Sequence, residues 1–162
     1  MSFETSDVIF SLADQRASSN LISKIRISRP CGIESKLEGF FLPSKDEKRM
    51  LYEICGIEYK RYSRSIDCIL LQVPSIDQVK TKDDFLLIEM KTTASKKVTE
   101  LPYGVFFGFT ENEETLFKSH DNYRLCFVHT GLEEYCFLTF DEYEQMIQRK
   151  RIQYQINFHS KG

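Results

Sequence analysis

The run Phe85-Leu-Leu-Ile-Glu-Met-Lys-Thr-Thr93 limits the fold more than any other stretch of the chain. It is short and apolar, follows the polar Lys82-Asp83-Asp84, and reads as a buried strand. Strand side chains alternate, so Leu87, Glu89, Lys91 and Thr93 share one face and Leu86, Ile88, Met90 and Thr92 the other. Asp67, 22 positions before Glu89, lies in a second apolar run, Ser65–Val73, which Pro74 stops. If the two runs pair, Asp67 stands beside Glu89 and Lys91. An ionised acid in so apolar a stretch is costly to bury without a partner or a metal. Two explanations compete. One is a Glu–Lys ion pair at a solvated strand edge. The other is a divalent-metal site with a cationic neighbour. Oxygen ligands suit Mg²⁺, which can polarise a phosphate and activate water, while the lysine offsets developing negative charge.

The rest of the chain alternates helical and strand-like segments. Residues 7–14 suit a short helix and 21–27 a strand; Pro30 and Gly32 then break the chain. Gly39–Pro43 is apolar. Ser44-Lys-Asp-Glu47 is a capping-box pattern that opens a helix to Cys55, with Leu51 and Ile54 inward and Gly56 as its stop. Ile57–Tyr62 alternates as a strand would, and Pro74–Asp84 is a polar loop. Tyr103–Phe109 reads as a strand with two glycines. Thr110-Glu-Asn-Glu113 opens a helix to about Ser119, with Glu113 completing the cap on Thr110. Asn122–His129 and Glu134–Leu138 are strands joined through Gly131. A helix follows from Thr139 or Asp141 through about Arg151, and Ile152–Phe158 alternates as a final strand. This order predicts an α/β or α+β chain with one central mixed sheet flanked by helices.

A chain of 162 residues is one domain of ordinary size. Its thirteen Phe and eight Tyr supply large core pieces. We divide it into an N-terminal extension, 1–45, and a core, 46–158. The five cysteines (Cys31, Cys55, Cys68, Cys126 and Cys136) form no close-spaced pairs, and three sit in apolar runs, which predicts free buried thiols in a reducing cytoplasm rather than zinc. The N-terminus lacks a basic segment with a long apolar core, so no signal peptide is expected, and no stretch has the length of a membrane span. His120, His129 and His159 are isolated, and no glycine-rich phosphate loop occurs.

Asp67…Glu89-Met-Lys91 resembles the PD-(D/E)xK nuclease superfamily. The pattern is most similar to the nuclease-like domain at the C-terminus of the NO VEIN protein, related to Mrr-type restriction nucleases. It combines Ile88-Glu-Met-Lys-Thr-Thr93 with Phe106-Phe-Gly-Phe-Thr-Glu-Asn-Glu113 and Asn122-Tyr-Arg-Leu125, in order, over about residues 57–130. The superfamily motif is degenerate; the three-part pattern is more specific. Ile66 replaces the proline of the superfamily's name, a residue without a chemical role.

The resemblance implies a restriction-endonuclease-like core and a Mg²⁺-dependent endonuclease acting on DNA, with Mn²⁺ as a substitute, in restriction or another defence against foreign DNA. Asp67 and Glu89 would be metal ligands, with the Met90 backbone carbonyl a possible third. Lys91 would be the catalytic lysine that orients the attacking water. Glu53, on the helix before the first core strand, is a possible additional acid, with Glu34, Glu38 and Glu47 as rivals. A homodimer, or a separate specificity or helicase subunit, would supply what so short a chain lacks. The alternative is an inactive module of the same fold that binds nucleic acid or a protein partner.

The net charge of −2 counts mildly against DNA binding, so a basic footprint has to be local. Lys60, Arg61 and Arg64 form one group and Lys96 and Lys97 another. Both flank the proposed strands and are the candidate DNA contacts. Lys45, Lys48 and Arg49, and Arg149-Lys150-Arg151, are read as solvated surface.

Overall fold

The apolar run at 85–93 forms a single nine-residue strand that is buried on both faces over Phe85–Met90. Around it the computed structural model, which describes residues 40–162, builds an α+β fold. The elements in chain order are β1 (Phe40–Phe41), α1 (Lys45–Cys55), α2 (Tyr59–Tyr62), β2 (Cys68–Leu71), β3 (Phe85–Thr93), α3 (Glu111–Ser119), β4 (Tyr123–His129), β5 (Glu134–Leu138) and α4 (Phe140–Met146). Two 3₁₀ turns, at 76–78 and 82–84, interrupt the polar loop between β2 and β3. The expected segments at 7–14 and 21–27, together with Cys31, Glu34 and Glu38, lie outside the described residues.

The described strands form one mixed sheet in the order β1-β2-β3-β4-β5. β2 and β3 are antiparallel neighbours, as are β4 and β5. β3 and β4 run parallel along seven residue pairs, Leu87–Tyr123 to Thr93–His129. A parallel pair needs a crossover connection, and residues 94–122 with α3 supply it. One face carries the larger core, where Leu51 and Tyr52 of α1, Leu116 and Phe117 of α3 and Tyr143 of α4 pack on Phe85, Leu87, Tyr123, Leu125 and Phe127. Cys68, Leu70, Leu86, Ile88, Met90, Cys126 and Val128 form a second cluster on the opposite face, with Phe40, Tyr135 and Phe137 against it. The described helices contribute to the first cluster only. None of them is long and apolar enough to cross a membrane.

Local chemistry sets the caps at Ser44 and Thr110 and the stop at Gly56 as expected, and of the two candidates Thr139 and Asp141 the first is the cap. Ser44, Thr110 and Thr139 each close a capping box, with Glu47, Glu113 and Glu142 returning the bond. Gly56 ends α1 at φ 72°, a left-handed position that glycine adopts without a Cβ penalty. The four cysteines among the described residues are free, and Cys68, Cys126 and Cys136 are buried.

Four expectations are corrected. Ile57–Tyr62 is not a strand: residues 59–62 form α2. Tyr59 and Tyr62 stand three apart, a helical spacing, and both pack on the main core. Tyr103–Phe109 is not a strand either. Val105, Phe107 and Phe109 do point inward alternately onto the core, but β3 and β4 are already direct neighbours, so the sheet has no slot for the segment. The last helix stops at Met146, and Ile152–Phe158 makes no strand. Ile152, Tyr154, Ile156 and Phe158 are 86, 83, 73 and 93 % exposed, so period-2 patterning found no partner there among the described residues.

The segment leading into β2 is pinned from the centre of the sheet. Tyr123, 1 % exposed on β4, donates its hydroxyl to the carbonyl of buried Ser65 at 2.6 Å. Tyr123→Phe leaves that carbonyl without its partner and should cost about 1–2 kcal/mol. Urea denaturation should show a lower midpoint at unchanged slope.

Candidate active site

Antiparallel pairing sets Cys68 opposite Ile88, and the next step of the same register sets Asp67 opposite Glu89. The Asp67 N–H donates to the Ile88 carbonyl at 2.8 Å. At this point β2 has left the ladder, and the carboxylate of Asp67 replaces the missing strand carbonyl. Its Oδ2 accepts from the Met90 N–H at 2.7 Å. Met90 is buried, and a buried strand N–H requires such a partner. Asp67 itself is exposed at the rim of the sheet.

Glu89 is 5 % exposed and Glu113 is 7 % exposed. Lys91 Nζ contacts Glu89 Oε2 at 2.9 Å and Glu113 Oε1 at 3.4 Å, and lies 5.5 Å from the centre of the Phe109 ring. This burial removes the explanation of a solvated edge pair. Asp67, Glu89 and Lys91 stand on the helix-covered face, as strand alternation requires, and α3 delivers Glu113 from the other side. Glu113 does two things at once: its Oε1 also accepts from the Thr110 N–H at 2.9 Å, closing the cap of α3. The cap was legible in the sequence. The contact with Lys91 was not, because it depends on where the crossover lays α3 against β3.

Two carboxylates, Glu89 and Glu113, contact the Lys91 ammonium. Burial pushes the Glu89 carboxyl up to about 9, reinforced by a hydrogen bond to Glu113 and by the negative charge of Asp67, with Lys91 opposing. Burial pulls the Lys91 ammonium down, but Glu89 and Glu113 outweigh it and the net shift is upward. Lys48 of α1 donates to the Ser63 carbonyl at 3.0 Å; burial lowers its pKa, and the charge of Asp67 partly restores it. Lys48 therefore belongs to the surroundings of the site rather than to an outlying surface patch.

Among the described residues no group of three or more His, Cys, Asp or Glu side chains is arranged to hold a metal ion. The donors that could serve are Asp67, Glu89 and the Met90 carbonyl. N–H and C=O of one strand residue point the same way, so this carbonyl faces the Asp67 side along with its N–H. All three are oxygens, and Mg²⁺ commonly takes one or two carboxylates and fills its remaining positions with water. The residues present fit such an ion.

Lys60 and Arg61 lie on α2, and Arg64 lies just beyond it. Lys96 and Lys97 are exposed in the loop after β3. Glu53 is exposed on α1, and Glu47 caps that helix; the second acid that reaches Lys91 is Glu113. His129 is buried and structural. Its Nδ1 accepts from the N–H groups of Gly131 and Leu132 at 3.1 and 3.0 Å, so the proton sits on Nε2, which donates to the Ser95 carbonyl at 2.9 Å. That ring ties the loop after β3 to the β4–β5 turn. No protein-family model, curated protein or solved structure matches the chain.

Two outcomes follow from this geometry. A carboxyl raised from 4.5 toward 9 stays protonated when folded and ionises when unfolded, so it erodes stability as pH rises through that window. Glu89→Gln removes the loss, and its melting temperature should exceed that of the wild type increasingly between about pH 5 and pH 9. Glu113→Gln keeps the capping box, since Gln also returns the bond, but removes the charge beside Lys91. NMR titration should show Lys91 losing its proton at lower pH in that variant. Glu113→Ala should additionally cost roughly 0.5–2 kcal/mol of stability as the cap is lost.

Proposed function

We propose that the protein is a Mg²⁺-dependent endonuclease with a restriction-endonuclease-like core that hydrolyses DNA phosphodiester bonds. The observation that carries the reading is the meeting of Asp67, Glu89 and Lys91 on one face at one end of β3, with Asp67 opposite Glu89. A purely structural ion pair would need one acid for one lysine. Here two carboxylates, Glu89 and Glu113, contact Lys91, and Asp67 stands opposite Glu89 in the β2–β3 register; oxygen donors gathered in this way are of the kind Mg²⁺ takes.

Asp67, Glu89 and the Met90 carbonyl would hold the ion. Bound there, Mg²⁺ supplies Lewis acidity toward a phosphate and lowers the pKa of a coordinated water. Lys91 places a fixed positive charge next to the reacting phosphate, where negative charge grows in the transition state. Glu113 and the Phe109 ring hold the ammonium in position. Asp67 lies at the exposed rim, which gives a polymeric substrate access, while buried Glu89 and half-buried Lys91 shield the inner part from water.

Supercoiled plasmid incubated with Mg²⁺ or Mn²⁺ should be nicked or linearised by the wild type. Asp67→Ala and Lys91→Ala should reduce the rate by at least about 10²-fold, the usual cost of deleting a transition-state charge partner. Lys91→Ala should retain DNA binding. Cutting that persists in both variants would remove this site from the reaction. Binding without cutting by the wild type would leave an inactive module of the same fold.

A further inference from the structure

A cleft of about 450 Å³ opens between α2 with its following turn and the start of α3. Lys60, Arg61 and Arg64 line it on one side, with Ser63 and Ser65 between them. Thr110 and Asn112 of the α3 N-terminus close the other side. No acidic residue lines it, in a chain whose net charge is −2. Such a composition is donor-rich and acceptor-poor, the opposite of the adjoining carboxylate site.

The backbone explains why the cleft keeps this character. Four carbonyls of residues 61–65 are bound by side chains of the protein itself. Asn112 Nδ2 donates to the Arg61 carbonyl at 3.2 Å, and the Tyr52 hydroxyl to that of Tyr62 at 2.7 Å. Lys48 Nζ holds the carbonyl of Ser63, and the Tyr123 hydroxyl that of Ser65. The carbonyl dipoles are thereby satisfied by α1, α3 and β4, while the cationic side chains stay exposed at the mouth. The Asn112 bond also ties the two walls together, so the cleft is built before any ligand arrives. Arg61 is further held by its own neighbour, its guanidinium lying 5.0 Å from the centre of the Tyr62 ring.

We propose that this cleft is a phosphate-binding pocket, with Arg61 and Arg64 as the anion-holding residues and Lys60 adding charge at its edge. Guanidinium groups match phosphate oxygens with paired donors, and hydroxyls complete the shell. Ser65 and Asp67 are two residues apart, so their Cα atoms are separated by at most about 7 Å. A phosphate in the cleft is therefore close enough to Asp67 to belong to the same ligand as one held there. On the nuclease reading, from which the parent molecule is taken, it is a neighbouring phosphate of the strand being cut. The pocket requires no metal, so its binding is separable from cleavage.

The test uses the full chain in EDTA. Binding of a fluorescent 20-base-pair DNA duplex is followed by anisotropy across a range of NaCl concentrations, for the wild type, Arg61→Gln/Arg64→Gln and Lys96→Gln/Lys97→Gln. In parallel, melting temperatures are measured in inorganic phosphate and in chloride of equal ionic strength. The arginine double variant should bind at least tenfold more weakly, and its plot of log affinity against log salt should be shallower by about one unit, the signature of one lost phosphate contact. The Lys96/Lys97 variant should lose less than the arginine variant. Inorganic phosphate should stabilise the wild type and not the arginine variant. Phosphate stabilisation that depends on the arginines, without any change in DNA affinity, supports the pocket and assigns it to a free phosphate or nucleotide. An arginine variant with unchanged DNA affinity and salt slope, together with no phosphate stabilisation of the wild type, overturns the proposal. Arginine-dependent DNA binding without metal-dependent cutting sinks the nuclease reading and leaves the pocket standing.

Discussion

The hydrogen bond from the Met90 N–H to the Asp67 carboxylate is the hinge of this architecture. β3 is packed on both faces, so each backbone group along it needs a partner. β2 serves as far as Cys68 and then diverges. A side-chain oxygen continues the ladder for one more step, which lets the chain turn away into residues 59–65 without leaving an orphaned donor. The same exchange places a carboxylate opposite Glu89. Scaffold and candidate site are therefore one feature: the sheet can open at this end because an acid closes the ladder, and the acid faces Glu89 because the ladder sets its register.

Charge balance then shapes what surrounds the opening. Glu89 and Lys91 sit two residues apart on β3, so they share a face and meet through their side chains. A buried pair of this kind contributes little net stability, because desolvation consumes most of the Coulomb attraction. Glu113 contacts the same lysine, and the negative charge of Asp67 helps to hold the Glu89 carboxyl in its protonated form. An arrangement that costs stability and yet draws on three separate elements has the character of a functional site. On the neighbouring surface the polarity reverses. There the carbonyls of residues 61–65 turn inward to Asn112, Tyr52, Lys48 and Tyr123, and arginines and a lysine face out.

Legibility followed the range of the interaction. Ser44/Glu47 and Thr110/Glu113 act over three residues, and both caps formed where the sequence placed them, while Thr139, one of two candidates, closed a third box with Glu142. The alternation in 85–93 put Glu89 and Lys91 on one face, and Asp67 joined them once β2 paired with β3. Alternation failed where nothing local distinguishes an inward-facing extended segment from a strand. Val105, Phe107 and Phe109 obey the period and still lie outside the sheet. Tyr59 and Tyr62 were hidden by a fortuitous alternation of Ile57, Tyr59 and Arg61, although their spacing of three is helical. Ile152–Phe158 shows the limit most plainly, since a perfect strand pattern stands exposed.

By itself the sequence determined the Ser44 and Thr110 caps, the central buried strand and the shared face of Glu89 and Lys91, because each follows from spacing along a few residues. Only the tertiary structure decided that Glu113 reaches Lys91, that Lys48 lies near Asp67, and that Arg61 and Arg64 line a cleft with Thr110 and Asn112. Those contacts join residues distant in the sequence, and their geometry depends on how the crossover seats α3 against β3 and α2. No periodicity encodes that placement; it comes from packing Phe117, Phe109 and Tyr143 into one core.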